Sequence, residues 1–214
     1  DPKRPLIPYT YLGRALRDAQ PDRSEGKYPL VIVSHGYPGS RLLLSYLTEN
    51  LASKGYIVVS IGHTESTYSD RAAFQSTLLN RSKDVLFVLN SLAGFSGQGS
   101  KHFLSGIVDV ENTGIVGYSM GGYGVLNVAG AGYSQKMDST FAVLSGGSHA
   151  IRVRLSGQPE YQASLDSRIK AVVAFAPWGM QRGSWDAEGL KGLKIPTFFV
   201  AGSLDDVSGY EDGI

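Results

Sequence analysis

Short runs of β-branched and aromatic residues, closed off by glycine or proline, alternate along the chain with stretches in which leucine and valine return every three or four positions. Residues 28–34, 56–61, 114–116, 169–175 and 195–202 are runs of the first kind. They are too apolar to leave one face in water and predict strands buried on both sides of a sheet. Between the first two runs, Leu43, Leu44, Leu47 and Leu51 place an apolar stripe on a helix that should end before Gly55. Val85, Leu86, Val88, Leu89 and Leu92 repeat the stripe, with a stop expected at Gly94 and a Gly/Ser-rich loop over residues 94–106. The small residues of 122–129 predict a further helix directly after the run at 114–116. Strand, helix and strand in this order make β-α-β crossovers, so the expected fold is α/β, a doubly wound and mostly parallel sheet flanked by helices.

Two stretches lack such a pattern. Residues 5–26 are polar with scattered prolines and read as edge strands or loop. Residues 130–168 form a long Gly/Ser-rich connection, expected to be an inserted cap or rim shaping substrate access, or surface filler. Neither a repeat nor a linker interrupts the chain, and a single domain over residues 1–214 is the default, burying roughly 70% of its unfolded surface.

Gly117-Tyr118-Ser119-Met120-Gly121 sits where a buried strand must turn sharply into a helix. This is the pattern of a nucleophile elbow, in which a strained turn lifts a serine hydroxyl clear of the sheet and glycines let strand and helix pack closely. Ser119 is the candidate nucleophile. Upstream, the strand 28–34 opens into His35-Gly36-Tyr37-Pro38-Gly39-Ser40, a tight loop able to offer a backbone N–H to a tetrahedral oxyanion. The amides of Tyr37 and Met120 are the candidate donors. A late strand is followed at once by Ser203-Leu204-Asp205-Asp206, where a carboxylate can orient an imidazole. Asp205 is the candidate acid and Asp206 the reserve; the alternative is a solvated acidic loop with Glu211 and Asp212. All these residues fall at the carboxyl ends of strands, where open α/β sheets place their sites.

These segments resemble the serine α/β-hydrolases of the cutinase and polyester-hydrolase type, with the neighbouring dienelactone-hydrolase-like and platelet-activating-factor acetylhydrolase-like groups. Gly36-Tyr37 looks like their oxyanion loop, Ser119-Met120-Gly121-Gly122 like their elbow, and Ala176-Pro177-Trp178 like their substrate-flanking tryptophan segment. The resemblance implies a carboxylic-ester hydrolase in which Trp178 and Tyr37 contact the substrate and Asp205 is the triad acid. Two departures matter. Ala176 stands where the acetylhydrolase branch carries its acid, and no histidine follows Asp205, although the family orders its triad Ser, Asp, His. The base is therefore expected on a C-terminal segment beyond Ile214 or on a second chain. His35, His63, His102 and His149 are the substitutes within the sequence.

Composition narrows the alternatives. Lys and Arg number 20 against 19 Asp and Glu, so no net field recruits nucleic acid or an acidic membrane surface. The absence of cysteine excludes a disulfide framework and the thiol form of the dienelactone-hydrolase nucleophile. No stretch approaches the ~18–20 unbroken apolar residues of a membrane span. Singly scattered histidines do not give metal-ligand spacing, and Gly36 to Ser40 lack the lysine of a phosphate loop, so neither metal nor cofactor is expected. A start at Asp1 rather than Met points to export processing, hence a secreted or periplasmic protein, or to a deliberately shortened chain. Besides an esterase acting on small or polymeric esters, the same features would serve an acyltransferase, a peptidase or an inert binding module of the same fold.

Overall fold

Strands β1 (Tyr28–Ser34), β2 (Ile57–Ile61), β3 (Val108–Tyr118), β4 (Ile169–Phe175) and β5 (Thr197–Val200) form a parallel sheet in the order β2-β1-β3-β4-β5. This computed structural model describes residues 10 and 12–211, so Asp212 and, from the N-terminal stretch, residues 5–9 and 11 lie outside the described residues. Helices α1 (Ser45–Ala52), α2 (Phe74–Ser96) and α3 (Met120–Val128) connect the strands. Successive side chains of a strand point to opposite faces. Accordingly Leu30 and Ile32 pack with Val85 and Leu89 of α2 and Val125 of α3, while Val31 and Val33 pack with Leu44 beside α1. Each such side chain contributes about 1.5–3 kcal/mol by leaving water, which is why the runs had to be apolar on both faces.

Helix α2 passes through Gly94, where a stop was expected, and ends at Ser96. The reason is that the buried stripe continues one turn further: Ser96 Oγ donates to the Val108 carbonyl at 3.0 Å and accepts from its N–H at 3.2 Å, tying the helix end to β3. Residues 130–168 also differ from the expected loop. They hold α4 (Gln135–Leu144), a 3₁₀ turn at Ala150–Arg154 and α5 (Pro159–Ala163). Ser134 caps α4 by accepting from the Met137 N–H at 3.1 Å. Met137, Phe141, Ile151 and Leu155 then join Met120, Tyr123 and Leu126 in one core cluster.

The two faces of the sheet are unequally covered. α2 and α3 close one face, whereas on the other a cavity of about 750 Å³ opens between α1 and the ends of β3, β4 and β5, lined by Leu44, Leu47, Tyr118, Phe175, Ala176 and Gly202 among others. Phe198 on β5 is 64% exposed. No helix among the described residues is long and apolar enough to cross a membrane.

Gly94 is exposed, and a Cβ there would meet nothing within 4 Å. Gly94→Ala should therefore raise stability by about 0.5–1 kcal/mol through helix propensity alone, read as a higher urea midpoint with unchanged m-value.

Candidate active site

β3 turns into α3 at a single residue, Ser119, whose backbone sits at φ 53° and ψ −114°. An L-residue held there costs about 1–3 kcal/mol and persists only where its surroundings over-determine it. They do so here: the Ser119 N–H donates to the Phe175 carbonyl at 2.8 Å, and the Ser119 carbonyl accepts from the N–H groups of Tyr123 at 3.1 Å and Trp178 at 3.0 Å. The glycines are sterically required. A Cβ at Gly117 would lie 2.4 Å from the Gly121 carbonyl oxygen, and one at Gly121 only 2.0 Å from that of Ser34. The half-exposed Ser119 hydroxyl has no hydrogen-bond partner among the described residues.

The loop after β1 runs against this elbow, since a Cβ on Gly36 would approach the Tyr118 ring to 3.2 Å and Ser119 Cβ to 3.3 Å. Among the described residues neither the Tyr37 nor the Met120 backbone N–H has an acceptor. The Tyr37 hydroxyl donates to the Arg71 carbonyl at 2.9 Å, and its ring meets Phe74 edge-on at 5.1 Å. Phe74 in turn meets Trp178 at 5.7 Å, so Tyr37 and Trp178 belong to one aromatic row beside the serine. Elbow, oxyanion-type loop and tryptophan are thus brought together.

Asp205 lies on the turn that follows β5. Its Oδ1 accepts from the N–H groups of Val207 and Ser208, both at 2.9 Å, and Asp206 is exposed. One carboxylate oxygen of Asp205 is left for another donor. Gln181 ties this turn to the tryptophan segment, its Nε2 donating to the Val207 carbonyl at 2.6 Å and its Oε1 accepting from the Gly179 N–H at 3.0 Å.

None of the four imidazoles hydrogen-bonds Ser119. His102 accepts from the Leu104 N–H and stacks between Phe95 and Phe103, while His149 is paired with Asp138. His35 and His63 are buried and committed on both ring nitrogens. His63 Nδ1 faces Asp84 Oδ2 at 2.7 Å, and its Nε2 faces Ser34 Oγ at 2.8 Å. His35 Nδ1 faces the Gly36 carbonyl at 2.6 Å, while its Nε2 accepts from the His63 backbone N–H at 3.3 Å. Arg81, also buried, donates to the His35 carbonyl at 2.7 Å and to Ser66 Oγ. Burial, aided by the Arg81 cation, pushes both imidazoles down to about 4, so both are neutral at pH 7. Ser34, His63 and Asp84 have the contacts of a hydrolytic triad, but Ser34 is wholly buried and cannot meet a substrate. This cluster and Phe74 were not anticipated from sequence. The cluster arises from the register of β1 on β2, which pairs Ser34 with Ile61 and so brings His63 alongside, and no local sequence signal marks it.

A family model described as PETase, PET hydrolase-like, matches residues 19–145. Over 186 residues, 87% of this chain, the sequence is 22% identical to Cutinase est1 of Thermobifida alba, covering 45% of that protein. It is 23% identical to Cutinase 2 of Thermobifida cellulosilytica, covering 51%, and to Cutinase cut1 of Thermobifida fusca, covering 42%. The chain spans about half the length of the curated relatives it matches.

Two outcomes follow from this geometry. Gly121→Ala should destabilise by about 3 kcal/mol or more, because the new methyl strikes backbone rather than a side chain that can turn away; chemical denaturation measures it. For His35 and His63 the folded pKa lies below the ordinary value of 6.5, so the unfolded chain binds more protons between these limits. Their contribution is complete above pH 6.5 and is lost as pH falls toward about 4, so the urea midpoint should drop through that window. His63→Gln should flatten the slope.

Proposed function

Because the chain belongs to the PET hydrolase-like family, whose model matches residues 19–145, we propose that it is a serine carboxylic-ester hydrolase. The observation that carries this reading is the Ser119 hydroxyl, without a partner among the described residues, at a strained strand-to-helix turn beside two backbone N–H groups that lack acceptors among the same residues. Ser119 Oγ attacks the ester carbonyl, the Tyr37 and Met120 amides receive the oxyanion, and an imidazole oriented by Asp205 takes the serine proton and returns it to the leaving alcohol. Water then releases the acid from the acyl-enzyme. The Tyr37–Phe74–Trp178 row suits an apolar acyl group, and relatives named cutinase support ester substrates, small or polymeric. Residues 130–168 form a rim to this region of the single domain, a role supported by Tyr133 stacking at 4.9 Å on Tyr123, which touches Trp178 at 5.9 Å.

The imidazole comes from polypeptide outside the described residues, either a following segment or a second chain. Support lies in the commitment of His35 and His63, in the Asp205 oxygen that has no donor among the described residues, and in the apolar cavity beside Tyr118, Ala176 and Gly202 that such a segment would fill. Among the described residues no imidazole hydrogen-bonds Ser119, as in an inert binding module, and fluorophosphonate labelling with ester turnover separates the two readings. Transfer of the acyl group to an alcohol rather than water would mark an acyltransferase, and amide cleavage a peptidase.

Intact-mass analysis after fluorophosphonate treatment should find one adduct on the active protein and none on Ser119→Ala; equal labelling would remove Ser119 as nucleophile. With p-nitrophenyl ester as substrate, and in a polypeptide that includes the base, Asp205→Asn should lower kcat by about 10³–10⁴ through the wrong imidazole tautomer. Asp206→Asn should be mild. The reverse pattern would move the acid to Asp206, and turnover by residues 1–214 equal to that of a longer chain would return the base to one of the four histidines.

A further inference from the structure

The C=O of Gly36 and the N–H of Tyr37 belong to one planar peptide group and point in opposite directions, so whatever fixes the carbonyl also aims the amide. We propose that His35 is a positioning residue for the oxyanion donor: its Nδ1–H holds the Gly36 carbonyl and thereby sets the direction of the Tyr37 N–H. The inference rests on the assignment of that amide to the oxyanion.

The tautomer follows from the neighbours. The group facing His35 Nε2 is the backbone N–H of His63, which can only donate, so Nε2 carries a lone pair. In a neutral ring the proton is then on Nδ1, where the Gly36 carbonyl accepts it at 2.6 Å. The other tautomer would set N–H against N–H on one side and lone pair against carbonyl on the other. Burial, which holds the ring neutral, removes the doubly protonated alternative as well. His63 is anchored in the same way, its Nδ1 donating to the Asp84 carboxylate and its Nε2 accepting from the Ser34 hydroxyl. A chain of fixed contacts therefore runs from Asp84 on α2, through His63 and His35, to the peptide ahead of Tyr37.

Other contacts act on the same stretch. Arg81 grips the His35 carbonyl at 2.7 Å. The loop closes over the ring so tightly that a Cβ on Gly39 would lie 2.5 Å from His35 Nδ1. A hydrogen bond to the carbonyl also polarises the peptide and makes its N–H a better donor. Removing one oxyanion donor outright costs about 10²–10³ in kcat, which bounds the effect of misdirecting it.

The test uses an ester and its thionoester, whose sulfur accepts hydrogen bonds poorly, as substrates of the active protein. His35→Leu should lower kcat on the ester about ten- to hundredfold with little change in KM, and should lower the ester-to-thionoester rate ratio by a similar factor. His35→Asn, whose amide nitrogen can stand near the place of Nδ1 and donate to Gly36, should restore most of the ratio. Loss of folded protein alone would scale both substrates equally. An unchanged ratio in His35→Leu, with turnover still dependent on Ser119, would overturn this inference and leave the nucleophile in place. Turnover that survives Ser119→Ala, or no turnover by the unaltered protein, would remove the parent assignment and this one with it.

Discussion

Between the first turn of α3 and the end of β1 there is room for a hydrogen atom and nothing larger, and most of the polar architecture of this chain follows from that approach. A methyl at Gly121 would overlap the Ser34 carbonyl, and one at Gly122 would come within 2.8 Å of Pro177 Cα. On the other side of the helix, Gly124 lies against Arg81, where a Cβ would come within 2.4 Å of Cγ. α3 is thereby clamped between β1, α2 and the segment after β4. With it fixed, the turn at Ser119 has no relaxed alternative, and its strained dihedrals are offset by the packing of α3. The loop after β1 starts from the same clamp, so the Ser119 hydroxyl and the Tyr37 and Met120 amides are located by a shared steric limit instead of by separate side chains.

The polar interior around this clamp is costly. Arg81, His35, His63 and Ser34 are all buried, and Arg81 Nε, Ser82 Oγ and Tyr133 Oη lack partners among the described residues. Groups of this kind lower stability unless hydrogen-bonded, and even satisfied networks contribute more to orientation than to the free energy of folding. The apolar clusters on the two faces of the sheet carry the stability, and the network spends part of it to hold one loop in one conformation.

β1 and β4 were legible because each is an apolar run between turn residues, and both have the bounds that their sequences predict. β3 starts at Val108, six residues ahead of the run 114–116, because Asp109, Glu111 and Asn112 interrupt its apolar pattern. The elbow was legible because Gly117, Ser119 and Gly121 lie within five residues of one another in sequence. What escaped depends on neighbours distant in sequence or on weak local signals. Gly94 looks like a helix stop, yet it faces outward while Leu92 and Ser96 continue the buried stripe. The glycines and serines of residues 130–168 mask a capped helix at Ser134, with Met137 and Phe141 one turn apart. Asp84, His63 and Ser34 meet only because β1 and β2 pair in a particular parallel register, and nothing local to any of the three announces it.

Gln181 has a further consequence for the stretch that carries Asp205. Local opening of a loop is governed by the few contacts that must break with it. Here one of them is the amide side chain that spans from Gly179, next to Trp178, to Val207. Opening of the turn after β5 therefore frees the side chain that also holds the tryptophan segment. A molecule lodged against Trp178 would, by linkage, slow hydrogen exchange in the turn that carries Asp205, and ordering of that turn would in equal measure favour the molecule.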